Sequence, residues 1–152
     1  MEMTLSSVTG SLSLANFLTA DGEVTTVIGT TTFAEDGPPV LVGEFIQITD
    51  GDSFDLDGGS LTIQITGGFQ AGDVLAVESG LFDVLGGAVS IDQDLIGSIV
   101  EDGTTGTLRI DLTDSATPEL IELLARSVTF ENTAAEPGAG SRTIDFTLTD
   151  GD

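Results

Sequence analysis

Residues 142–152 read RTIDFTLTDGD. Ile144, Phe146 and Leu148 alternate with Thr143, Asp145, Thr147 and Thr149. Period two is the signature of a β-strand with one buried face, because successive side chains of a strand point to opposite sides. The alternation ends at Asp-Gly-Asp, residue types that favour turns. This pattern recurs in SLTIQIT (60–66), TLRIDLT (107–113) and SVTFEN (127–132). VLVGEFIQIT (40–49), DVLAVES (73–79) and GSIVED (97–102) read as further strands. Between them stand GDSFDLDGG, TGGFQAGD, LGG, EDGTTG and AAEPGAGS, rich in the residues that punctuate structure. Asp-Gly and Gly-Gly pairs between alternating runs predict hairpins.

One segment departs from this rhythm. TPELIELLARS (117–127) offers Thr117 as N-cap, Pro118 at the first helical position, Glu119 in the first turn and Arg126 in the last. Leu120, Leu123 and Leu124 form an i, i+3, i+4 stripe, which predicts a short helix covering one end of a sandwich. Residues 1–32 are rich in Ser and Thr, with candidate strands around 4–14 and 24–33 and an Asp-Gly turn at 21–22. They read either as an added β-hairpin or as the remnant of a preceding repeat, and 33–152 as the main module. Roughly eight to ten short strands and one helix predict an all-β fold, an antiparallel Greek-key β-sandwich.

Charge narrows the function. There are 26 acidic residues against three basic ones, Arg109, Arg126 and Arg142, and the formal net charge is −23. Nothing here neutralises phosphates, so nucleic acid and anionic lipid are excluded as expected partners. Such a charge often means disorder, but the abundant Val, Ile, Leu and Phe in alternating runs argue against it. No run reaches the roughly 18 apolar residues of a membrane span, so direct membrane insertion is not expected. His, Cys and Lys are all absent. That removes Ser-His-Asp and Cys-His machinery, ordinary zinc sites, Schiff bases and disulfides. Among so many acids some carboxylate pair at glycosidase spacing is inevitable, and no Trp or Tyr offers a sugar platform. The expectation is therefore that the protein is not an enzyme. A metal-loaded or a salt-adapted protein remains.

Calcium suits the pattern. It takes oxygen ligands from carboxylates, carbonyls and water. Asp-x-Asp in a turn brings two carboxylates to one side, as at Asp50/Asp52, Asp55/Asp57 and Asp150/Asp152. The run QITDGDSFDLDGG (47–59) sets four aspartates in one corner with no cation near in sequence. Leu61 stands where an EF-hand starting at Asp50 would need its bidentate Glu, so the site is not an EF-hand. TDGD recurs about one small β-domain later, at 149–152, where the sequence stops. The chain is thus expected to be a segment of something longer. Asp outnumbers Glu and many acids sit in turns, which favours ligation over a merely saline habitat.

Several pieces together resemble a known family. FAEDGPPVLV (33–42), ITDGD (48–52), LTIQITGGFQAGDVL (61–75), LARSVTFENT (124–133) and SRTIDFTLTDGD (141–152) are similar to the cadherin-like, Ig-like tandem repeats of large bacterial RTX-type and biofilm adhesins. The resemblance implies an extracellular module at a bacterial cell surface or in a secreted protein, strung beside neighbouring repeat modules, with Ca²⁺ at the junctions. It implies calcium ligands at Glu35, Asp50 and Asp52 at one end, and at Asp150 and Asp152 toward the next module. Asp55 joins them from local clustering. Arg126 and Arg142 are expected to form structural ion pairs. The leading expectation is a calcium-rigidified extender. The alternative is a calcium-dependent module that binds a cell-surface carbohydrate or protein.

Overall fold

The structure is a computed structural model. It describes residues 9–19, 24–25, 30–34, 37–44, 46, 48, 55–134 and 140–149, with residues 9–32 and 34 described in their backbone only. In chain order the strands are β1 (Thr9–Thr19), β2 (Val24–Thr25), β3 (Thr30–Ala34), β4 (Val40–Leu41), β5 (Ser60–Gly67), β6 (Asp73–Val77), β7 (Asp83–Leu85), β8 (Ala88–Ile91), β9 (Asp94–Asp102) and β10 (Thr107–Leu112). Helix α1 (Pro118–Arg126) follows, then β11 (Val128–Asn132) and β12 (Arg142–Thr149).

Two sheets result. The larger runs β2-β1-β12-β5-β10-β9-β8-β7, with β3 also paired to β1. The smaller runs β4-β11-β6. The pairing of named strands is antiparallel throughout, except that β1 and β12 run parallel. From β5 the chain crosses to β6 in the small sheet, returns for β7 to β10, crosses again to β11, and comes back as β12 beside β5. Such long returns between layers make this an all-β Greek-key sandwich.

Alternation produces the core. Leu61, Ile63 and Ile65 of β5, Leu108, Ile110 and Leu112 of β10, and Ile144, Phe146 and Leu148 of β12 are buried, and they meet Leu75 of β6 and Val128 and Phe130 of β11. Each fully buried side chain of this size contributes roughly 1.5–3 kcal/mol. Phe33, Phe82, Phe130 and Phe146 lie inside, whereas Phe69 is exposed.

Helix α1 starts as its sequence predicts: the Thr117 hydroxyl accepts the Leu120 N–H at 3.3 Å, and Pro118 follows the cap. Its buried face differs from the leucine stripe. Ile121, Leu124 and Ala125 are buried and Leu123 is exposed, so the face is turned by about one residue. The predicted strand 40–49 also differs, since its ladder stops at Leu41. A turn follows, with the Ile46 N–H donating to the Gly43 carbonyl at 3.0 Å. A Cβ at Gly43 would strike the carbonyl of Ala125, so only glycine lets the chain tuck against the end of α1. The meander β7–β8–β9 was not legible in its first two strands. Gly86 (φ 60°) and Gly87 (φ 87°) make the first hairpin turn, and Asp92 (φ 51°) and Gln93 (φ 77°) make the second with non-glycine residues in the left-handed region.

Candidate functional site

The expected calcium ligands Glu35, Asp50, Asp52, Asp150 and Asp152 lie outside the described residues. Asp55 is described. It is half-buried, and its Oδ1 accepts the N–H of Asp57 at 3.3 Å, an Asx-type turn. Leu56, between them, is buried and donates its N–H to the Ala116 carbonyl at 2.9 Å. One side of the acidic run is therefore moored to the segment leading into α1.

Its other side is moored to α1 itself. Glu122 Oε2 accepts the N–H of Ile48 at 2.9 Å, and Arg126 Nε donates to the carbonyl of Ile46 at 2.8 Å. Arg126 Nη2 and Glu122 Oε1 are 2.8 Å apart, an i, i+4 pair. These side chains satisfy the Ile46 carbonyl and the Ile48 N–H, backbone groups that a strand ladder would otherwise have taken. Both oxygens of Glu122 are engaged, one by the Ile48 N–H and the other by Arg126. Sequence reading assigned Arg126 to an ion pair but missed Glu122 and the two backbone contacts. The i, i+4 spacing of Glu122 and Arg126 was the available signal.

Donor chemistry suits calcium, because carboxylate oxygens are hard ligands. Among the described residues, however, no group of three or more acidic side chains is gathered closely enough to hold a metal ion. Calcium requires roughly six to eight oxygens. Asp55 and Asp57 would supply only part of that set, and the remaining ligands would come from residues outside the described ones and from water.

A second constellation lies at the β6 and β12 ends and joins the two sheets. Asp73 and Arg142 are both fully buried. Arg142 Nε donates to Asp73 Oδ2 at 2.9 Å and Arg142 Nη2 to Asp73 Oδ1 at 3.0 Å, a two-point pairing across the layers. Asp73 also accepts the Gln70 N–H (2.8 Å) and Asn132 Nδ2 (2.7 Å), while Arg142 Nη1 donates to the Gly140 carbonyl (2.9 Å). The Arg142 guanidinium lies 5.2 Å from the Phe33 ring centre and 5.9 Å from that of Phe130. Those two rings meet edge to face at 4.8 Å. Buried charges need partners of this quality to offset desolvation. Arg142 was singled out in the sequence, but Asp73 was not, because an AGD turn gives no sign that its acid points inward.

The third arginine, Arg109, pairs with Asp111 on the exposed face of β10, Nε to Oδ1 3.2 Å. At the tip of the β9–β10 hairpin the Thr104 hydroxyl and N–H donate to Asp102 Oδ1 at 2.6 and 3.1 Å. Those bonds favour the carboxylate and hold its pKa below the ordinary aspartate value. Gly103 in that tip has φ 82°, and its carbonyl accepts the Leu75 N–H at 3.1 Å. The large sheet's hairpin thus presses on the small sheet's β6.

Among the described residues no helix is long and apolar enough to cross a membrane. Comparison with protein-family models, with curated proteins and with solved structures gives no match.

Proposed function

We propose that the chain is an extracellular spacer module of a bacterial surface adhesin, stiffened by calcium at its acidic ends, and that it is not an enzyme. One observation carries the reading most. The chain has only three basic side chains, and among the described contacts each pairs with an acid other than the clustered aspartates: Arg109 with Asp111, Arg126 with Glu122, and Arg142 with Asp73. The run holding Asp50, Asp52, Asp55 and Asp57 has no basic residue near it in sequence, and a divalent ion from solution neutralises clustered carboxylates better than sodium does. In this reading Glu35, Asp50, Asp52 and Asp55 hold calcium at one end, while Asp150 and Asp152 belong to the junction with a neighbouring repeat module. Calcium supplies the coordination centre. The protein's own part is to hold Ile46 and Ile48 against α1 and Leu56 against the segment leading into it, so that loading the corner costs little further ordering.

Thermal melting in EDTA, in calcium and in sodium chloride of matched ionic strength tests the proposal. A ligand at a hundred times its dissociation constant stabilises by about 2.7 kcal/mol, which for a chain of this size raises Tm by roughly 5–10 °C. The paired substitution Asp50→Asn and Asp52→Asn should abolish that rise and leave the EDTA melt unchanged or slightly raised. If calcium does no more than matched sodium chloride, the proposal fails. A glycan array separates the spacer from the alternative of a calcium-dependent carbohydrate-binding module, since a spacer stays blank.

A further inference from the structure

The strand topology dictates how the module responds to tension along its chain. β1 and β12 are parallel neighbours, with Leu12 opposite Arg142 at one end of the ladder and Thr19 opposite Leu148 at the other. The N-terminal end of β1 and the C-terminal end of β12 therefore lie at opposite ends of a shared ladder. Tension applied through the chain slides these strands lengthwise past each other. All the hydrogen bonds between them are then strained together, whereas antiparallel strands pulled from adjacent ends open one bond at a time.

β12 is also held elsewhere. Its other edge is paired with β5 from Thr143 opposite Gly67 to Thr149 opposite Ser60. Its first residue, Arg142, is fixed to Asp73 of the opposite sheet by two charge-assisted hydrogen bonds in a fully buried setting. Sliding β12 toward its C-terminal end would draw the guanidinium off that carboxylate and leave the buried Asp73 without its cation. The β7–β8–β9 meander lies beyond β10 and outside this path.

We infer that β12, sheared between β1 and β5 and anchored at Arg142 by Asp73, is the element that resists force along the chain. This goes beyond the spacer reading and needs no bound cation, so the two can fail separately.

The chain has no cysteine, so engineered cysteine pairs are unique handles for single-molecule pulling. In EDTA, Thr9→Cys with Thr149→Cys loads the strand pair lengthwise. Thr19→Cys with Thr149→Cys loads the same pair from adjacent ends and peels it. The lengthwise geometry should need a several-fold higher unfolding force, and equal forces, or a higher force for peeling, overturn the clamp. The charge-free double variant Asp73→Leu with Arg142→Met tests the anchor. It should lower the lengthwise force while its denaturant midpoint stays close to that of the parent. An unchanged lengthwise force overturns the role given to Asp73 and Arg142.

Discussion

Asp73 and Asp55 are both turn-associated aspartates, and the fold treats them in opposite ways. Asp73 is fully buried and receives four hydrogen bonds, two of them from Arg142. Asp55 is half-buried at a corner where no arginine reaches it among the described contacts, and it caps its own turn through the Asp57 N–H. With 26 acids and three arginines the chain cannot neutralise itself. It places its best-made ion pair where solvent cannot help. The acid shut off from solvent receives the two-point arginine pairing, while the other two arginines meet acids that solvent still reaches.

The comparison breaks first at the clasp. Arg142→Met leaves the buried Asp73 carboxylate without its cation and should cost about 3–5 kcal/mol, read as a lowered denaturant midpoint. The double variant Asp73→Leu with Arg142→Met should recover most of that loss, and a double-mutant cycle measures the coupling. Gly103→Ala comes next. Its φ of 82° disfavours a side chain, and the new Cβ would strike the Leu75 carbonyl, so a loss of about 2 kcal/mol or more is expected. At the acidic corner, Glu122→Ala removes the acceptor for the Ile48 N–H and should cost about 1–2 kcal/mol. Glu122→Gln, which keeps a carbonyl oxygen, should cost less, and hydrogen exchange at Ile48 reports the difference directly.

The smallest effects belong to exposed charge. Arg109→Ala should change stability by less than about 1 kcal/mol, because that pair is half-exposed and screened by solvent. Asp102 adds a pH dependence of known sign. Its folded pKa is depressed, so its contribution is present above the unfolded value, near ~3.9, and is lost as pH falls through the folded one. Thr104→Ala should bring the Asp102 titration, followed by NMR, back toward the ordinary value.

Much of the fold could be read directly. β5, β10 and β12 announced themselves because each has one dry and one wet face, β11 by the same alternation in sequence although Thr129 is buried, and α1 because its cap and first-turn proline precede an apolar stripe. Strands β7 and β8 were hidden by their shortness and by a second turn made from Asp92 and Gln93, which carries no glycine signal. The run 40–49 misled because strand-like composition does not reveal that α1 will take over its backbone groups. At the sites, Arg126 and Arg142 stood out by scarcity, but Glu122 and Asp73 could not be told from two dozen other acids.

By itself the sequence determined the class of fold, since a two-residue rhythm can satisfy itself only in sheets with one buried face. It determined as well that charge would be the protein's central problem. Which aspartate meets which arginine, and that β1 lies parallel to β12, were decided only in three dimensions. Partners 69 residues apart in the first case, and 130 in the pairing of Leu12 with Arg142, are chosen by the way two layers close over a shared core, and no local pattern records that choice.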